Sequence, residues 1–551
     1  MILSGAEIVI EELIANGVST VFGYPGGNVI NIYDELYKNT HRLAHILTAH
    51  EQGAAHAADA YARISGKPSA VLATSGPGAT NLVTGIANAY LDSIPVVFIT
   101  GNVPFHLLGR DSFQEIDILG VTLPIVKHSY VVRSVHQLQQ TLREAFLIAK
   151  SGRKGPVLVD IPKNVQIDTC EYNPDLTFRL PDSGQRFEDI SNFEKAIDAI
   201  DKSTRPLIYC GGGVSAANVG DRVIELSKKL NAPVCVSLMG LGSIPHSYVL
   251  NLGMSGMQGR YASNMATAEA DLIIALGVRF SDRATCNTET YAQNALVIHI
   301  EIDAAEIGKN IKPDLSLCCD LSIILPELIN QTKPHQNEQW IERIRHLQAE
   351  GDVPLNSDFS PRNIIDRINH ACDDDTIVAT DVGQHQMWVA QFYRFEKPRK
   401  LITSGGLGAM GFGLGAAIGA SLASGGKRVV LFTSEGSFGM NLIELATAVT
   451  YDIPITIVIL NNAVLGMVRQ MQTQFFDKRY SATTLERKTD FPALARSYGA
   501  SGYRAESLQE LDIILGKLPD HGPCVIDCII DKDEKVLPYI PLDGGICDML
   551  V

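Results

Sequence analysis

An internal echo constrains this 551-residue chain more than any other feature of its sequence. Val71-Leu72-Ala73-Thr74-Ser75 matches Val430-Leu431-Phe432-Thr433-Ser434 in pattern; after each an Asn-Leu pair follows, and then Ile-Pro ahead of an apolar run. Thr74 to Pro95 and Thr433 to Pro454 both span 21 positions. Two readings stay open. Unrelated βαβ units share turn chemistry, so the match can be fortuitous. Alternatively, two related open sheets face one another and hold a ligand between the carboxyl ends of their strands.

The surrounding sequence supports sheets of this kind. Up to about Val165, short β-branched runs such as Ala70-Val71-Leu72-Ala73 and Pro95-Val96-Val97-Phe98-Ile99 alternate with Ala-rich helical stretches such as 81–90, as in a parallel sheet covered by helices. Polar, Pro-bearing sequence over 171–188 reads as a linker. A second α/β block begins at Pro206-Leu207-Ile208-Tyr209 and ends near Leu328. A charged stretch with Pro334, Pro354 and Pro361 precedes a third block, from Asn363 to about Asp531. The length is too great for one core and suits three. The expected fold is α/β, with three doubly wound parallel-sheet domains over 1–165, 189–328 and 360–531. A Pro- and Gly-rich tail, 532–551, is expected to lie over another part of the molecule.

Several function classes are disfavoured. With 46 basic against 61 acidic residues the net charge is −15, and no Lys/Arg cluster follows a phosphate backbone, so nucleic acid is not an expected partner. Apolar stretches such as 453–460 fall far short of the roughly 20 residues of a spanning helix. Gly5-Ala6-Glu7-Ile8-Val9 begins an amphipathic helix in place of a basic-then-apolar leader, so a cytoplasmic protein without membrane attachment is expected. Neither Cys318-Cys319 nor the Cys524/Cys528 pair has a second ligand pair at zinc-finger spacing; all read as buried thiols.

In the third block, strand 429–433 leads into Ser434-Glu435-Gly436-Ser437, and strand 455–460 ends in Asn461-Asn462. A carboxylate and a carboxamide at the ends of neighbouring strands, beside a helix N-terminus, suit Mg²⁺ and a diphosphate together. Each half alone is ordinary turn chemistry. Gly211-Gly212-Gly213 after a strand is compatible with a dinucleotide but is not the full glycine fingerprint.

The two-part motif resembles the cofactor signature of thiamin-diphosphate enzymes. Similarity to acetolactate synthases extends over nearly the whole chain, through Phe22-Gly23-Tyr24-Pro25-Gly26-Gly27, Glu51-Gln52-Gly53-Ala54, Thr74-Ser75-Gly76-Pro77-Gly78, Phe113-Gln114-Glu115, Gly383-Gln384-His385-Gln386-Met387-Trp388 and 403–413. The resemblance implies pyrimidine-binding, central and diphosphate-binding domains. It also implies decarboxylation of pyruvate and transfer of the two-carbon unit to a second 2-keto acid, in branched-chain amino-acid biosynthesis. Glu435, Asn462 and the backbone carbonyl of Val464 fall at metal-ligand positions. Gln384, His385, Gly408, Met410, Gly436, Ser437 and Met467 fall at cofactor-binding ones, with Met410 under the cofactor. Glu51 falls at the catalytic glutamate that hydrogen-bonds the aminopyrimidine ring, which requires a carboxyl group in a dry site. Gly27, Gln114 and Lys127 align with catalytic-pocket residues, and Phe113, Met471 and Arg279 with substrate-contacting ones. Arg279 stands where the second keto acid's carboxylate is recognised, a task suited to a guanidinium fork. Arg153, Gly212, Gly213, Gly253, Met254, Gly256, Asp303 and Asp320 align with positions that hold FAD. A homodimer or dimer of dimers is implied, with a small regulatory subunit as a further partner.

Three positions depart from the family pattern. Glu435 stands where the family has Asp, which moves the carboxylate outward by one C–C bond, about 1.5 Å. Met471 replaces a tryptophan associated with preference for 2-ketobutyrate. Gln258 and Ser281 replace a His and an Asp of the flavin region. The readings kept beside the synthase are another thiamin carboligase or lyase, a weakly active or non-catalytic paralogue, and a nicotinamide dehydrogenase.

Overall fold

The computed structural model describes residues 1–177, 190–351, 358–541 and 543–550. Most of the expected 171–188 linker, the boundary at 189, Pro354, and tail positions 542 and 551 lie outside the described residues.

Three six-stranded parallel sheets form the architecture, as expected. The first is built from Thr20–Tyr24, Ala44–Leu47, Ser69–Ala73, Val96–Asn102, His128–Val131 and Val157–Pro162. Numbered in chain order, its strands lie 2-1-3-4-6-5 across the sheet. The third sheet, from Ile377–Thr380, Leu401–Ile402, Val429–Thr433, Ile455–Asn461, Ser501–Ala505 and Cys524–Ile529, has the same order. The echo is therefore a repeat of topology, with Ser69–Ala73 and Val429–Thr433 at the same place in their sheets. The middle sheet runs 3-2-1-4-5-6, the strand order of dinucleotide-binding folds. Ile2–Ser4 also pairs antiparallel with Thr169–Glu171, tying the start of the chain to the far side of the first unit.

One hydrophobic core runs through the first and third units, joining Phe22, Val71 and Phe98 to Phe412, Leu431 and Ile457. Its centre is the contact of helix Glu51–Ser65 with helix Phe412–Ala423, both rich in Ala and Gly and buried over most of their length. Small residues let the backbones touch: a Cβ at Gly419 would land on the Ala57 carbonyl, and one at Gly415 would stand 2.8 Å from the Gly53 carbonyl oxygen. Gly419→Ala is accordingly expected to destabilise the protein by about 1–3 kcal/mol through overpacking, read as a lower melting temperature.

The tail is anchored. Val536 is buried with the third unit, while Tyr539, Ile540 and Ile546 are buried in the core of the middle one. Ile540 N donates to Met257 O at 2.9 Å, and Tyr539 bridges to Leu550.

Candidate functional site

Glu435 follows strand Val429–Thr433, and Asn462 follows strand Ile455–Asn461, beside it in the sheet. Glu435 is 4% exposed, yet neither carboxylate oxygen has a hydrogen-bond partner. Burial raises its pKa to about 7, partly opposed by the nearby backbone amides of Glu435, Val464 and Asn462, which face it without reaching bonding geometry. Asn462 turns its Nδ2 to Gln384 Oε1 at 3.1 Å, which leaves the amide oxygen for a cation. The chain then bridges at Val464 to Thr484 through Leu465 N→Thr483 O and Leu485 N→Ala463 O. Both bonds belong to Val464's neighbours, so its own carbonyl is not spent in them. A carboxylate, a carboxamide and a carbonyl are hard oxygen donors, the set Mg²⁺ takes. Among the described residues there is no group of three His, Cys, Asp or Glu that suits a softer metal.

The other cofactor candidates surround this trio. Gln384 Nε2 donates to Gln470 Oε1 at 3.1 Å and to Glu534 O at 2.9 Å, and Gln470 in turn exchanges bonds with the backbone of Val536. The tail thus braces Gln384 and, through it, Asn462. His385 is buried, its pKa pushed down to about 3, and its Nε2 has no partner. Ser437 Oγ donates to Val382 O at 2.8 Å. The ε-methyl of Met410 lies 3.8 Å from where a Cβ on Gly436 would stand, so Met410 packs toward that turn. Gly408 is exposed in the same loop. Met467 and Met471, one turn apart on helix Gly466–Phe475, are half-buried. The orphaned oxygens of Glu435 and the orphaned His385 nitrogen, both buried just beyond the carboxyl ends of strands of the third sheet, fit a metal-bound diphosphate.

Glu51 opens helix Glu51–Ser65 and is buried, with Asn81 Nδ2 donating to its Oε2 at 2.9 Å. Its Oε1 lies 3.2 Å from where a Cβ on Gly78 would stand. Around the same 74–78 turn, Asn28 donates to Thr74 and Ser75, and Gln114, at φ 59, packs against Gly76. That brings Gly27 and Gln114 to the Glu51 neighbourhood. Gly27 faces open space, and Phe113 is 87% exposed. Lys127 is spent elsewhere: its Nζ donates to the carbonyls of Ile148 and Ser151 at the end of helix Val135–Lys150, and burial lowers its pKa to about 8. Within one chain, and among the described residues, no hydrogen bond links Glu51, Asn81 or Gln114 to Glu435, Asn462, Gln384 or His385.

In the middle unit, Gly212 and Gly213, Gly253 to Gly256, Asp303 and Asp320 all stand at carboxyl ends of strands, where an open sheet binds ligands. Gly213 packs directly on Gly277, Met254 is buried in the core shared with the third unit, and Asp320 caps helix Leu321–Gln331. Arg153 pairs with Glu306 at 2.8 Å and with Asp303 at 3.4 Å. Arg279 Nη1 donates to Leu91 O at 2.5 Å, and burial lowers its pKa. Sequence reasoning missed Glu444, whose carboxylate accepts the amides of Ala49 and His50 just ahead of Glu51. It also missed Asp381, which holds the Gly411 amide at 2.7 Å next to Met410. Neither lies in a motif; each becomes visible only once distant segments are brought together.

Three family models match the chain: the N-terminal TPP-binding domain of thiamine pyrophosphate enzymes over residues 3–121, their central domain over 193–328, and their C-terminal TPP-binding domain over 381–528. The chain is similar to the acetolactate synthase large subunit of Lactococcus lactis, at 42% identity covering 98% of this chain and 94% of the relative. It is 41% identical to the isozyme 1 large subunit of Escherichia coli, over 99% and 97%. It is 42% identical to a probable acetolactate synthase large subunit of Methanocaldococcus jannaschii, over 100% and 95%.

Proposed function

The chain belongs to the thiamin pyrophosphate enzymes and, within them, to the acetolactate synthase large subunits, and on that premise we propose that it decarboxylates pyruvate and joins the two-carbon unit to a second 2-keto acid, forming 2-acetolactate when that acceptor is pyruvate. The observation that carries this reading is a buried carboxylate without a partner, Glu435, beside Asn462 on one sheet, with Glu51 held by Asn81 on its topological twin. Thiamin diphosphate supplies the electron sink that makes loss of carbon dioxide feasible.

The chain's own residues do the rest. Glu435, Asn462 and the Val464 carbonyl would hold Mg²⁺; Gln384, His385, Gly408, Gly436, Ser437 and Met467 would bind the diphosphate side, and Met410 would support the cofactor. Glu51, buried at the start of its helix, would act as the proton-sharing carboxyl group for the cofactor's ring, a role its dry surroundings favour. Gly27, Phe113 and Gln114 line the donor pocket, while Arg279 grips the acceptor's carboxylate. The Glu51 and Glu435 groups share no hydrogen bond among the described residues, and Phe113, Val121 and Leu123 of the first unit are exposed; a homodimer would complete each site across two copies. Arg153, Gly212, Gly213, Gly253, Met254, Gly256, Asp303 and Asp320, at the carboxyl edge of the middle sheet, would hold FAD as a structural group, since the reaction moves no net electrons. The relatives' designation as large subunits favours a small regulatory partner here too. No helix among the described residues is long and apolar enough to cross a membrane.

The test is a discontinuous assay for acetolactate with purified protein, pyruvate, thiamin diphosphate and Mg²⁺, with the flavin absorption of the same preparation read alongside. Acetolactate formation supports the reading, and its absence at saturating cofactor and metal overturns it. Met471 presents a flexible thioether where an aromatic face would be rigid. In a competition assay, Met471→Trp is expected to raise the preference for 2-ketobutyrate over pyruvate several-fold.

A further inference from the structure

Helix Val83–Leu91 ends in a turn, Leu91-Asp92-Ser93, with Ser93 at φ 62, and bonds from all three sheet units converge on it. From the third unit, the amides of Gly405 and Gly406 donate to Asp92 at 3.1 and 2.8 Å. From the first, Arg63 Nη2 donates to Asp92 Oδ2 at 2.9 Å, while its Nη1 reaches the Thr403 carbonyl at 3.0 Å. From the middle unit, Arg279 donates to the Leu91 carbonyl at 2.5 Å. The Asp92 side chain has no exposed surface, and that of Arg63 is 7% exposed.

Glycines make the approach possible. A Cβ at Gly406 would stand 2.8 Å from Leu91 Cβ and 3.1 Å from Asp92 Oδ1. Next door, Ser404 Oγ donates to Asn88 Oδ1 at 2.5 Å and accepts the Ala409 amide at 2.9 Å, so the same junction reaches the residue before Met410.

We propose that Asp92 is a positioning residue that fixes the Met410 loop and Arg279 in register, so that one turn sets both the cofactor pocket and the grip on the acceptor's carboxylate. The inference rests on the function proposed above. A carboxylate can accept two amides and a guanidinium at once, and such charge-assisted bonds are strong and short. An amide in its place has one acceptor oxygen and turns an NH₂ toward donors, so the Gly405–Gly406 loop and the Leu91 carbonyl must move apart. Small displacements of positioning groups are amplified at reacting centres.

The test uses the full-length protein and the variants Asp92→Asn and Gly406→Ala. Gly406→Ala pushes on the junction from the other side and leaves the Arg63–Asp92 pair intact. Cofactor affinity is measured by calorimetry with thiamin diphosphate at saturating Mg²⁺, and the half-saturating acceptor concentration is measured separately from kcat. In both variants the cofactor dissociation constant and the acceptor half-saturation are expected to rise together, each roughly tenfold. A residue that only supports the fold would lower the active fraction and leave both constants at their wild-type values. That result, or movement of one constant without the other, overturns the proposal. If Asp92→Asn does not fold, Gly406→Ala decides alone. A wild-type protein that forms no acetolactate would count against the function, and the calorimetric constants would still decide whether Asp92 sets the cofactor pocket.

Discussion

Glu51→Gln is expected to lower the rate of acetolactate formation by about 10²–10⁴-fold, the usual contribution of a positioned proton-transfer group, with little change in melting temperature. The substitution keeps the shape and the contact that Asn81 makes with Oε2, but it removes the buried carboxyl group that can take up and give back a proton. Folding does not depend on the charge, because no cation pairs with Glu51 among the described residues. The same variant tests the dimer. A Glu435→Gln chain carries its lesion on the other sheet, so a mixture of the two inactive proteins, exchanged to equilibrium, forms mixed dimers with both lesions in one site and an intact second site. Activity should return to about a quarter of wild type if each site is shared across a two-fold axis. If each chain builds its own site, the mixture should stay inactive.

Much of this arrangement was legible in the sequence because it is local in sequence. The repeat of Thr74-Ser75 at Thr433-Ser434 marks the end of the third strand of each sheet, and the equal 21-residue intervals are one βαβ crossover apiece. Glu435 and Asn462 are legible for the same reason, since a strand end fixes where the next side chain points. Long-range contacts were not. Glu444 meets the amides ahead of Glu51 across 395 and 394 positions, and Asp92 meets Gly405 across 313. In sequence each is a lone acidic residue near a helix end, with nothing to distinguish it from a solvated one. The tail, with Pro538, Pro541, Gly544 and Gly545, was expected to lie over another part of the molecule; the residues that do so are the apolar ones among and beside them, Tyr539, Ile540 and Ile546, buried in the core of the middle unit. Lys127 shows the limit of carrying a role over by alignment: its ammonium lies against the carbonyl end of a helix, where a cation is favoured whatever the chemistry nearby.

Glu435 gives the second large effect, and it separates stability from activity. In the metal-free protein its carboxyl group is buried without a hydrogen bond, and an uncompensated buried charge is costly. Glu435→Gln is therefore expected to leave the metal-free protein at least as thermally stable as wild type, while weakening Mg²⁺ and cofactor by roughly 100-fold or more. Wild-type protein should be stabilised as Mg²⁺ and thiamin diphosphate are added together, by about 2.7 kcal/mol at a hundredfold excess over the dissociation constant, read as a higher melting temperature; the variant should gain almost none. The length of the side chain then sets the affinity. Mg²⁺ tolerates little departure from octahedral ligation, and the extra methylene must be absorbed by a trio whose other two members are fixed, Asn462 by Gln384 and Val464 by its bridge to Thr484. Glu435→Asp is expected to reach half-maximal activity at about a tenfold lower Mg²⁺ concentration than wild type. If wild-type activity were already maximal without added metal and Glu435→Asp no better, the longer carboxylate would have to be fully accommodated, and the departure at this position would carry no functional weight.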